Sequence, residues 1–195
     1  MIKVGITGGI GSGKSTITNF FNLLGIPIYQ SDIQAKQLQQ SNKKIIDGLK
    51  KIFSPDIYLP NGQLNRQLMA SIIFTNTDLR QQVNQLIHPI VRTDFRQWAS
   101  THTNTPYVIC EAAIMIESGS YADMDKIIVV DAPLQQRIER TMLRDKITRQ
   151  QVENRIKSQM PTEALLPYAN YIINTDDKHF VIPQLLTIDK ELRNL

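Results

Sequence analysis

The chain has 195 residues, 42% hydrophobic and 21% charged, the profile of an ordinary globular protein with room for one well-cored domain and a small insert. Its 22 Lys and Arg against 18 Asp and Glu give a formal charge of +4; this suits polyphosphate substrates, and no dense basic tract or basic–aromatic interleaving points to nucleic acid. No stretch approaches the roughly 20 apolar residues of a membrane span, no basic-then-apolar leader opens the chain, and the single cysteine, Cys110, closes no internal disulfide, so a cytoplasmic protein is expected.

The apolar run at 3–7 predicts a first strand. Directly behind it stand Gly8-Gly9-Ile10-Gly11-Ser12-Gly13-Lys14-Ser15-Thr16, in which Gly8, Gly13, Lys14 and Ser15 satisfy the phosphate-loop pattern G-x-x-x-x-G-K-S/T. Glycines let successive backbone N–H groups curl around an anion, and a helix starting near Lys14 adds unpaired N–H groups and the positive end of its dipole. The pattern implies a bound nucleoside triphosphate, with Lys14 on its phosphates and the Ser15 hydroxyl on Mg²⁺.

A helix is predicted over 13–24, with Ile17, Phe20, Phe21 and Leu24 at core spacing and Gly25 as its stop. A second strand at 26–30 leads into a turn at Ser31-Asp32. From 32 to 100 the pattern is helical, broken near Ser54-Pro55 and at Pro60-Asn61-Gly62, and strandless, as an inserted helical lobe would be. His88-Pro89 interrupts that pattern and marks a bend. Strands follow at 107–111 and 127–131, helices at 134–145 and 148–159 with a break at Pro161, a strand at 171–173, and a closing helix from 181. This alternation predicts a parallel α/β sheet. Ligands in such sheets sit beyond the carboxyl ends of the strands, so the loops starting at Gly8, Ser31, Ala112, Ala132 and Asn174 are the candidate site.

Asp32 follows the second strand. Phosphoryl transfer needs a group to orient a hydroxyl and take its proton; a helix N-cap or an i,i+4 partner for Lys36 explains the same aspartate, and spacing leaves both open. Arg137, Arg140 and Arg144 fall within about 60° of one another around a helix, with Leu134, Ile138 and Met142 marking the face that can pack. Such an arginine face suits a lid over phosphate oxygens. Asp131 and Glu111 each end a strand and compete as metal-linked carboxylates; Asp131 also precedes Ala132-Pro133, where a cap for the next helix is the plainer role. His88 is placed either on a substrate or as a packed residue at the bend. The three histidines show no metal-ligand spacing.

Taken together, these motifs make the chain resemble the dephospho-coenzyme A kinase family from end to end. Residues 7–16 are similar to its T-G-G-I-G-S-G-K-S/T-T, and Asp32 stands at the second aspartate of its D-A-D-x-x-A-R. Leu64-Asn65-Arg66 with Phe74 resembles L-x-R…F, and His88-Pro89-Ile90-Val91-Arg92 resembles H-P-x-I/V-R. Ala113-Ile114-Met115-Ile116-Glu117 stands at P-L-L-F/V-E. Arg140 with Arg144-Asp145 matches R-x-x-x-R-D, Arg155 with Gln159 matches R-I-x-x-Q, and Asn174 the late I-x-N. Gln30, Lys36 and Ala113 depart from the family's aspartate, arginine and proline, and Arg137 stands where it commonly has glutamine, so Arg140 ranks above it.

The resemblance implies a three-layer α/β/α phosphate-loop kinase fold with five parallel strands, its core about 1–31 and 105–195, a helical acceptor lobe about 32–100 and a lid about 137–160. It implies transfer of a phosphoryl group from ATP, with Mg²⁺, to the ribose 3′-hydroxyl of 3′-dephospho-CoA. Asp32, Lys14 and Arg140 are then catalytic. Gly8 through Thr16 with Arg144 and Asn174 bind ATP; Asp32, His88, Arg92 and Glu117 bind the acceptor; Ser15 holds the metal. Another small-molecule kinase shares the loop, whereas a nucleotide switch would show an Asn-Lys-x-Asp motif, which is missing. Monomer and homo-oligomer fit equally.

Overall fold

The structure, a computed structural model, describes residues 1–195. Five parallel strands, β1 (Ile2–Thr7), β2 (Ile28–Gln30), β3 (Tyr107–Glu111), β4 (Lys126–Asp131) and β5 (Tyr171–Asn174), form one sheet in the order β2-β3-β1-β4-β5. Strands covered on both faces read as unbroken apolar runs, and here Tyr107 to Cys110 and Ile127 to Val130 are all buried. Alternation along β4 assigns the faces. Ile128 and Val130 join a cluster with Ile17, Phe21, Leu185, Ile188 and Leu192, while Ile127 and Val129 join Ile116 and Leu165.

Helix α1 (Lys14–Leu23) supplies Ile17 and Phe21 to the first cluster, and the last helix (Val181–Arg193) supplies the three leucine and isoleucine contacts. The Tyr107 hydroxyl donates to Asp189 at 2.6 Å, and the same carboxylate accepts from Arg193 Nε at 2.9 Å. Burial and that carboxylate hold the Tyr107 phenol far above its ordinary pKa, so it stays a donor.

The chain divides into two compact units, 1–30 with 98–195, and 31–97. The second unit is built from α2 (Ser31–Ser41), α3 (Lys43–Ile52), α4 (Arg66–Thr75) and most of α5 (Thr77–Ser100). Asn42 caps α3 by accepting from the N–H groups of Lys44 and Ile45, and Asn65 caps α4 by accepting from Leu68 N–H. Ile45, Leu49, Ile57, Leu64, Val83 and Ile87 form its core.

Most elements lie within two residues of where the sequence puts them. The second strand starts later, at Ile28. The bend expected at His88-Pro89 does not end the helix: α5 runs through Pro89. Ile87 before the proline and Ile90 and Val91 after it pack on one cluster, which holds the helix across the missing N–H. Helices α6 (Leu134–Asp145) and α7 (Arg149–Lys157) stand as expected, and Thr148 with Gln151 makes a capping box for α7. The short α8 (Thr162–Leu165) and the following 3₁₀ turn at Leu166–Tyr168 have no counterpart in the sequence reading; the last helix is α9. No helix is long and apolar enough to cross a membrane.

Phe21 is fully buried and meets the rings of Phe20 and Tyr107 edge-on. Replacing Phe21 by Ala is expected to cost about 3–5 kcal/mol. Equilibrium urea unfolding checks this; a loss under about 1 kcal/mol would mean the sheet does not depend on this contact.

Candidate active site

The strand order reverses at β1, with β3 on one side and β4 on the other. The glycine-rich loop leaves β1 at this switch point and enters α1 through Gly13. Lys14 Nζ donates to the carbonyls of Gly8 at 2.7 Å and Gly9 at 3.1 Å, which holds the ammonium at the rim of its own loop. Ser12 N–H closes a turn onto Gly9 O at 3.2 Å. Ser15 and Thr16 are exposed in the first turn of α1. The buried hydroxyls of Thr7 and Ser12 have no hydrogen-bond partner, so the loop carries polar capacity that its own chain leaves unused.

The three arginines of α6 do not share a role. Arg137 is buried: its Nε donates to Ile10 O at 3.0 Å and its Nη1 to Thr162 Oγ1 at 2.8 Å. The sequence placed it on an arginine face above phosphate; instead the buried face of α6 is Arg137, Ile138 and Thr141, and Leu134 is exposed. The reason lies in the loop, whose glycines admit the helix. A Cβ at Gly9 would collide with the Arg137 guanidinium, and one at Gly11 with the Arg137 carbonyl. Burial draws the Arg137 pKa down, and the charges of Asp131 and Glu163 oppose that.

Arg140 is half-buried beside the loop. It donates to Thr175 O at 2.7 Å and to Thr175 Oγ1 at 3.2 Å, and that hydroxyl in turn donates to Ser12 O at 2.7 Å. Arg144 is exposed and bound to Asp145 at 2.7 Å, which also takes Arg155 at 2.7 Å and so joins α6 to α7. These guanidiniums, Arg144 first, hold the Asp145 carboxyl below its usual pKa.

Of the two competing carboxylates, Glu111 accepts from Thr18 Oγ1 at 3.3 Å, one turn from Ser15, whereas Asp131 lies on the β4 side among the charges around Arg137. Asp131 does not cap α6: the cap position is Pro133, without a side-chain bond. Glu117 Oε1 accepts from Met160 N–H at 2.9 Å and pins the segment after α7. Asn174 ends β5, and its backbone is clipped on both sides by the Gln184 carboxamide. With Asp131, Arg137 and Thr162 it lines a cavity of about 400 Å³.

In the second unit, Asp32 is exposed inside the first turn of α2, so it is not a residue capping the helix from outside. His88 and Arg92 lie one turn apart on α5, both half-buried. Burial lowers the His88 pKa and favours the neutral imidazole. Sequence reasoning missed Thr175 and the contacts of Gln159, whose Oε1 accepts from Ile10 N–H at 2.9 Å. Gln159 was visible only as a motif letter; Thr175 had no signal beyond following Asn174.

A profile of the dephospho-CoA kinase family (CoaE) matches residues 2–180. The dephospho-CoA kinase of Bacteroides fragilis is 38% identical over 187 residues, 96% of this chain and 91% of that protein. The chain belongs to the dephospho-CoA kinase family. It is an ATP-dependent transferase that phosphorylates dephospho-CoA in coenzyme A biosynthesis. A crystal structure of a Thermus thermophilus protein superposes with a TM-score of 0.83 at 27% identity, covering 100% of this chain and 97% of that one. A dephospho-CoA kinase from Campylobacter jejuni superposes at 0.73 with 22% identity, covering 98% and 97%, and shares the fold.

A neutral, half-buried His88 links stability to pH. Below the unfolded-state pKa of about 6.5 the unfolded chain gains a proton that the folded chain resists, so stability falls as pH drops from there towards the lowered folded pKa. The His88→Gln variant is expected to lose less melting temperature than the parent between pH 7.5 and 5.5. Equal losses in both proteins would show that His88 does not govern this window.

Proposed function

We propose that catalysis divides between a donor site on the first unit and an acceptor lobe formed by the second. The loop from Gly8 to Thr16 holds the ATP triphosphate, with Lys14 leaving its loop carbonyls for the phosphates. Arg140 lies over the transferring group, Arg144 assists, and Asn174 lines the nucleotide side. Asp32 orients the ribose 3′-hydroxyl and accepts its proton, while His88 and Arg92 hold the acceptor. Such catalysis is positioning plus charge stabilisation, with little covalent work for the protein.

The observation that carries this reading is the chain Arg140–Thr175–Ser12, which fixes a guanidinium to the end of the phosphate loop through neutral partners, its one ion pair being a long 3.9 Å contact with the exposed Asp177. The position of Asp32, two residues past the carboxyl end of β2, supports its role as base.

The residues also fit Mg²⁺, a hard cation that takes oxygen ligands and keeps several waters. The Ser15 hydroxyl is exposed, and Glu111 stands one turn away through Thr18. No three acidic, histidine or cysteine side chains converge, so phosphates and water would complete the shell. When bound, the ion neutralises charge on the phosphate oxygens. A cytoplasmic setting belongs to this reading, supported by the lone buried Cys110.

Replacing Asp32 by Asn is expected to lower kcat about 10²–10⁴-fold while ATP affinity stays near that of the parent; turnover within a few-fold of the parent would remove Asp32 as base. Lys14→Ala is expected to damage both ATP affinity and turnover, and full activity in that variant would overturn the donor site. Both are read in a coupled ADP-release assay with and without 3′-dephospho-CoA, with product mass confirming CoA.

A further inference from the structure

Ile10 is held at both polar ends, by α6 and by the segment that follows α7. Its N–H donates to Gln159 at 2.9 Å, and its carbonyl accepts from Arg137 at 3.0 Å. The guanidinium lies against Gly9, and the Arg137 main-chain carbonyl against Gly11. Arg137 therefore touches three successive residues of the phosphate loop, and its remaining arm is fixed by Thr162 at 2.8 Å.

The peptide joining Ile10 to Gly11 is planar and trans, so its carbonyl and its N–H point in opposite directions. A carbonyl drawn towards Arg137 turns the Gly11 N–H to the other side, where it has no hydrogen-bond partner in the chain. An unpaired backbone donor held in one orientation is what a phosphate oxygen binds. The opposite orientation would aim a carbonyl oxygen at the anion.

We propose that Arg137, assisted by Gln159, is a positioning residue for the donor phosphates: it locks the Ile10–Gly11 peptide so that the Gly11 N–H faces the bound polyphosphate. This rests on the phosphate-loop reading and adds to it a residue that stands where the family commonly has glutamine. Arg137 itself touches no phosphate. Its buried charge is spent on the loop carbonyl and on Thr162, and Asp131 and Glu163 balance it.

The test uses Arg137→Met, which keeps length and loses the donors, and Gln159→Leu, which keeps shape and loses the acceptor. ADP affinity is measured by calorimetry, KM for ATP and for dephospho-CoA by ADP release, and the Gly11 amide by ¹⁵N-glycine NMR, with only 9 glycines to assign. The expected result is folded protein, ADP binding weakened about tenfold to a hundredfold in Arg137→Met, and a raised KM for ATP. KM for dephospho-CoA stays within about twofold, and the downfield shift of the Gly11 amide on adding ADP is reduced. Gln159→Leu changes the same quantities less, and the double variant costs less than the sum because both side chains fix the same residue, Ile10, through its two flanking peptides. Unchanged ADP affinity and Gly11 shift in folded variants would overturn the proposal, as would equal loss of affinity for both substrates. Should Arg137→Met fail to fold, Gln159→Leu decides by the same two readouts. A parent protein that binds no ADP would instead overturn the phosphate-loop reading itself.

Discussion

The packing of α6 against the phosphate loop is the constraint on which the donor site depends. A helix backbone can approach a loop this closely only where side chains are missing, and Gly9 and Gly11 supply that space. The Arg137 carbonyl that meets Gly11 also accepts from Thr141 Oγ1 at 2.8 Å, so the contact is fixed from the helix side as well. One register of α6 then places Arg137 on Ile10 and Arg140 beside Thr175. Sliding the helix by one residue would move every one of these groups by 100° around its axis.

A buried guanidinium is costly unless its donors are matched and its charge is balanced. Here two donors are matched at 3.0 Å or less, and two carboxylates act on the charge from outside the hydrogen-bond shell. Thr7 and Ser12 show the opposite condition, buried hydroxyls left without partners next to the same loop. The loop is thus held where it meets α6, while the Thr7 and Ser12 hydroxyls stay unsatisfied. That combination suits a site whose ligand supplies the missing partners.

Much of the fold was legible because its signals are local. The buried runs of β1, β3 and β4 announce a parallel sheet, and the glycine pattern locates the loop at the end of β1. Asn42 and Asn65, which cap α3 and α4, were not read from the sequence, where 32–100 stood as one helical stretch with breaks near Ser54-Pro55 and at Pro60-Asn61-Gly62. The uninterrupted course of α5 through Pro89 was not legible, since it depends on Ile87, Ile90 and Val91 sharing one cluster. Nor was the sorting of the three arginines: helical spacing gives their angles about the axis but not what the axis rests against. Arg137 turned inward because two glycines more than a hundred residues earlier made room for it, and Thr175 acquired its place from strand pairing between Asp131 and Asn174.

The fork at Asp145 has an arithmetic of its own. Two guanidiniums share one carboxylate, Arg144 and Arg155 from successive helices, so the junction carries one uncompensated positive charge. Any anion near it therefore meets attraction before an existing ion pair has to open. That attraction acts through solvent over about 10 Å at 0.1 M salt and shrinks to about 3 Å at 1 M. The junction behaves as a salt-tuned antenna for anions, whose reach is set by the ionic strength of the surroundings rather than by the fold.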